Sequence, residues 1–176
     1  MSLYERWLLP RLLDLAMRNE VASRYRAQLV PQARGTVLEV GVGSGLNLPF
    51  YGHGVESLFA LDPSEALLKM ARGRARSAPF RVEFIARSGE EIPLPDDSVD
   101  TVVATWTLCT IPDPVRALGE MRRVLRPRGA LLFAEHGIAP DARVRAWQSR
   151  LDRVWRRLAG GCRGPSAGRR DNRHSR

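Results

Sequence analysis

Residues 37–45 read Val-Leu-Glu-Val-Gly-Val-Gly-Ser-Gly: a largely apolar, β-branched run that carries Glu39 and then enters three glycines at alternate positions. Such a run reads as a buried strand. The turn after it is built for close approach, because Gly41, Gly43 and Gly45 have no Cβ and tolerate positive φ. Seventeen residues after Gly45, a second apolar run, 58–61, ends in another carboxylate, Asp62. A glycine-rich first turn followed by an acidic end to the next strand is how an α/β sheet holds an adenosine. The loop admits the ligand and the carboxylate accepts hydrogen bonds from the ribose hydroxyls. Dinucleotide folds space their glycines G-x-G-x-x-G and set the pyrophosphate over a helix N-terminus. Here the pattern is E-x-G-x-G-x-G. A carboxylate at Glu39 would repel a pyrophosphate and suits an ammonium group.

The rest of the chain alternates strand and helix. The apolar runs predict strands at 36–40, 57–61, 81–86, 99–104 and 129–134, with helices at about 45–51, 64–76 and 113–125. Ser64 is placed to cap the second of these, and Arg126-Pro127-Arg128-Gly129 to break the chain before the last strand. This order predicts a Rossmann-like, doubly wound parallel α/β sheet of about five strands. Ahead of it, Ser2 and Glu5 have capping-box spacing, Pro10 stops or kinks the first helix, and a second spans Glu20 to Leu29. Leu3, Trp7, Leu8, Leu12, Leu15 and Ala16 form an apolar stripe expected to pack this helical lid onto the sheet. Contact of the stripe with a membrane surface is the weaker reading, because acidic residues interrupt it. After Glu135-His136 a further helix is expected at about 141–158, and then a Gly/Ser/Arg-rich tail with no apolar periodicity. The organisation expected is therefore a lid at 1–34, a core domain at 35–161 and a disordered basic tail at 162–176.

The chain has 176 residues and a formal charge of +9. Five arginines and one aspartate from Gly160 onward supply +4, leaving +5 scattered among carboxylates over the body. That distribution argues against nucleic-acid binding. Cys109 and Cys162 form no disulfide framework, no metal-ligand spacing is present, and no secretory or membrane-spanning segment is read. A cytoplasmic location is expected.

Four segments resemble the class I S-adenosylmethionine-dependent methyltransferases: VLEVGVGSGLNLPFY, ALDPSEALLKMA, SGEEIPLPDDSVDTVVATWTLCTIPDP and ALGEMRRVLRPRGALLFAEHG. The likeness is nearest to the small bacterial "type 11" kind, and more distant to animal enzymes that methylate thiols at lipid membranes. It implies S-adenosylmethionine as cofactor and a small, apolar acceptor such as a thiol or lipid. It places Gly41, Gly43 and Gly45 against the methionine and ribose, Glu39 toward the methionine ammonium, and Asp62 on the ribose. Ser88, Gly89 and Glu90 would lie beside the adenine, with serine where the family usually has aspartate. Thr105 would lie against the cofactor and Trp106 would line the substrate pocket, where the reactive methyl faces the acceptor, although Trp106 reads equally well as core. Glu135 and His136 are the candidates to deprotonate an acceptor, and Cys109 reads as a small buried hydrophobe. The resemblance also implies two further strands that residues 163–176 cannot supply, leaving an uncovered edge at 130–134. A truncated, catalytically impaired cofactor-binding domain and, more weakly, a nicotinamide-dependent oxidoreductase are the competing readings. The glycine spacing and Glu39 speak against the second.

Overall fold

A computed structural model of the chain describes residues 8–135. The capping box at Ser2, the helix expected at 141–158, His136, and the tail lie outside the described residues. Within them, two short helices, α1 (Leu9–Ala16) and α2 (Glu20–Leu29), precede β1 (Gly35–Val40), β2 (Val55–Leu61), α3 (Glu65–Ala75), β3 (Arg81–Ile85), β4 (Val99–Thr105), α4 (Pro114–Val124) and β5 (Leu125–Ala134). The strands form one five-stranded sheet in the order β3-β2-β1-β4-β5, and every pair is parallel.

Helix starts follow local chemistry. Asn19, Ser64 and Asp113 each accept a backbone N–H of the first turn, at Ala22, Leu67 and Arg116, and Pro114 opens α4. Side chains of β1 and β4 alternate between two apolar layers. Leu38, Val40, Val102 and Ala104 pack with Ala117, Met121 and Val124 of α4. Val37 and Val103 pack with Val30, Ala33, Leu48 and Tyr51 on the opposite face. Glu39 shares that second face by the two-residue period of the strand, and so does Thr105.

Three expectations need correction. No α-helix forms at 45–51; there is a turn and one 3-10 segment, Leu48–Phe50, with Pro49 in its first turn. The last strand begins at Leu125 rather than 129. Its ladder jumps from Val99↔Leu125 to Thr101↔Ala130, so 126–129 bulge out with Arg128 at φ 71°, and Arg126 donates to Asp100 at 2.7 Å. The apolar stripe of α1 does not face the sheet: Leu8, Leu12 and Leu15 are exposed, and Pro10 and Asp14 are the buried positions. β5 lies at the edge of the five-stranded sheet, with Leu131 and Phe133 exposed.

Candidate functional site

The strand order reverses between β1 and β4, and ligands of open α/β sheets bind outside the strand carboxyl ends at that point. Two loops meet there, the glycine turn after β1 and the 105–111 loop after β4. Gly41, Gly43 and Gly45 all have positive φ, but for different local reasons. A Cβ on Gly41 would overlap the Thr107 side chain, and one on Gly45 would meet Leu48 and Ala71. Among the described residues a Cβ on Gly43 would meet nothing closer than the Gly41 carbonyl at 4.0 Å. Gly43 is therefore the glycine of the turn that borders open space.

Asp62 stands beside it. Its Oδ2 accepts the Gly43 N–H at 2.9 Å and its Oδ1 accepts the Ser64 N–H at 2.8 Å. Burial raises its pKa, and these two backbone bonds oppose the rise. A carboxylate with spare lone pairs beside a Cβ-free turn fits a ribose diol. On the far side, Ser88 Oγ donates to Glu90 at 2.8 Å, and Glu90 accepts the Asp113 N–H at 3.0 Å, which ties this loop to the start of α4. Gly89 is buried between Val40 and Ile111, and a Cβ there would crowd both. Gly89→Ala is expected to destabilise by about 1–3 kcal/mol through overpacking. Urea unfolding checks this, and an unchanged midpoint would mean that Val40 and Ile111 yield without cost.

Glu39 has a more enclosed setting than its sequence position suggested. It is 1% exposed. Asn47 Nδ2 donates to its Oε1 at 2.8 Å and Tyr51 Oη donates to its Oε2 at 2.8 Å. Asn47 also donates to Thr105 Oγ1 at 2.9 Å and accepts from Arg26 Nε at 3.0 Å. Burial pushes the Glu39 carboxyl up to about 7, against the pull of Tyr51, Asn47 and Arg26. The folded value lies above the ordinary one of 4.5, so Glu39 favours the fold below pH 4.5, and that contribution is lost as pH rises through about 7. Glu39→Gln is accordingly expected to remove a stability loss of about 3 kcal/mol between pH 5 and 8. Denaturant unfolding at the two pH values reads this directly; an equal fall in the variant would assign it elsewhere.

Trp106 opens the loop after β4 at φ 52°, an uncommon backbone for a bulky residue, and its N–H donates to Ala134 O at 2.7 Å. The Arg26 guanidinium lies 4.8 Å from the centre of its ring. Glu135 Oε1 accepts the N–H groups of both Thr107 and Leu108 at 2.9 Å, so this carboxylate pins the loop. Cys109 is half-buried rather than enclosed. Sequence reasoning missed Asp14, Arg26, Asn47 and Tyr51. Asp14 Oδ1 accepts from Ser44 Oγ in the glycine turn at 2.5 Å and from Arg74 of α3 at 2.9 Å, tying α1 to both. Asn and Tyr four residues apart just past the glycines were the only available signal. Among the described residues no His/Cys/Asp/Glu group could hold a metal, and no helix is long and apolar enough to cross a membrane.

Residues 38–133 match the model of the methyltransferase domain family. The chain belongs to that family, whose cofactor is S-adenosylmethionine. It is 33% identical over 149 residues to the human thiol S-methyltransferase TMT1B, covering 82% of this chain and 61% of that protein. It is 34% identical to the phosphatidylethanolamine N-methyltransferase of Cereibacter sphaeroides, covering 76% and 66%. The chain thus spans under two thirds of the length of either relative. The fold superposes on an S-adenosylmethionine-dependent methyltransferase from Aquifex aeolicus with TM-score 0.57 and 23% identity, over 86% of this chain and 87% of that one.

Proposed function

We propose that the protein transfers a methyl group from S-adenosylmethionine to a small, apolar acceptor, with thiols, lipids and quinones as the classes to test. The observation that carries this reading is the pairing of Asp62 with the open face of Gly43 at the point where the strand order reverses. Asp62 would hold the ribose hydroxyls, Gly43 would let the backbone approach them, and the 88–90 loop would border the adenine. Glu39 would offer negative charge to the methionine ammonium from behind the turn, acting through the intervening groups because it is itself buried.

When bound, S-adenosylmethionine supplies an electrophilic methyl group on a sulfonium. What the chain contributes is alignment and exclusion of water, which can supply most of the acceleration of an in-line displacement. Trp106, fixed by Ala134 and Arg26, would be the acceptor wall. Glu135 holds the 107–108 backbone through Oε1 as a loop anchor, and its role as a base rests on the sequence. His136 stays a candidate base from the sequence alone. A thiol acceptor would need only its thiolate.

The test is transfer of labelled methyl from S-adenosylmethionine to a panel of aliphatic thiols, ethanolamine phospholipids and quinols. Transfer to at least one class is expected. Cofactor binding with no transfer to any of them would remove the acceptor assignment.

A further inference from the structure

The N-terminal helical pair delivers one guanidinium to the centre of the site. Arg26, on α2, is 4% exposed. Its NH1 donates to Met17 O at 2.9 Å, its Nε donates to Asn47 Oδ1 at 3.0 Å, and its guanidinium carbon lies over the Trp106 ring. Asn47 in turn donates to Glu39 and Thr105. One side chain therefore touches the segment after the glycines and the wall after β4, which belong to different halves of the site.

We infer that Arg26 is a positioning residue for the cofactor: it orients Asn47 against Glu39 and Thr105 and fixes Trp106, so that α2 sets the two loops in register. This rests on the proposed function. Two physical points support it. A planar fork can bond a carbonyl and an amide while stacking on an indole, which an ammonium cannot do. The cation also opposes the burial that neutralises Glu39. The groups facing that carboxyl are Tyr51 from the segment after the glycines, Arg26 from α2 and Asp62 from the end of β2, the last pushing its pKa upward.

The experiment is the dissociation constant of S-adenosylhomocysteine between pH 5.5 and 8.5 for the wild-type chain, Arg26→Gln and Arg26→Lys, with melting temperatures alongside. Arg26→Gln is expected to bind about tenfold more weakly at neutral pH, the loss of charge-assisted bonds. Its acid limb should move to higher pH, because Glu39 then protonates sooner. Arg26→Lys should restore the acid limb and leave the neutral-pH affinity low. A purely structural role would lower the melting temperature and leave the pH profile in place, which overturns the inference. Unchanged affinity in Arg26→Lys also overturns it, and decides alone if Arg26→Gln does not fold. Wild-type protein that does not bind at any pH overturns the proposed function and this inference together; wild-type binding with unaltered variants overturns the inference only.

Discussion

Asp62→Ala is expected to weaken S-adenosylhomocysteine binding by about two orders of magnitude or more. Two hydrogen bonds from a ribose diol to a carboxylate are each worth roughly 1.5–3 kcal/mol, so their joint loss is about 3–6 kcal/mol. The substitution reaches the fold as well. Asp62 accepts the N–H groups of Gly43 and Ser64, and those donors would lose their partner. A destabilisation of about 1–3 kcal/mol should accompany the affinity loss. Asp62→Asn separates the two effects, since one amide oxygen still accepts a backbone N–H while the charge is gone. Titration calorimetry on both variants, at temperatures well below their melting points, reads the affinity. Full affinity in Asp62→Ala would make Asp62 a turn residue and no more.

S-adenosylhomocysteine should stabilise the wild-type chain selectively. A ligand that binds only the native state adds about 4.1 kcal/mol at one thousand times its dissociation constant. The thermal midpoint should therefore rise by several degrees and keep rising with ligand concentration. NAD should have no such effect: it would bring a pyrophosphate toward a turn backed by the buried Glu39 and bordered by Asp62. An equal response to NAD would restore the oxidoreductase reading.

The parts of the fold that were legible in the sequence are those written in apolar periodicity and capping chemistry. β1 and β4 announce themselves by β-branched runs and α3 by Ser64, whereas the Asn19 cap of α2 shows only in the structure. Segment 45–51 was expected to be helical because it lies between two strands, but Asn47 spends its side chain on Glu39, Thr105 and Arg26 instead of a cap. Those partners come from three separate elements, and no local pattern could reveal them. The stripe on α1 was misread for a related reason. Burial there is decided by Asp14, whose partners Ser44 and Arg74 lie 30 and 60 residues away. Hydrophobic periodicity gives the apolar side of a short helix, but a polar anchor on the other side can turn it outward. The site shows the same division. Gly43 and Asp62 are local signals with local meaning. The half of the site formed by Arg26, Asn47, Tyr51 and Trp106 exists only through tertiary contact.

The central claim is that the Gly43–Asp62 corner is an adenosine site, and a crystal structure grown with S-adenosylhomocysteine tests it most directly. The ribose hydroxyls should lie within hydrogen-bonding distance of the Asp62 carboxylate, with the adenine against residues 88–90 and the homocysteine sulfur toward Trp106. A ligand bound elsewhere on the chain, or a ribose that passes Asp62 without contact, would contradict it.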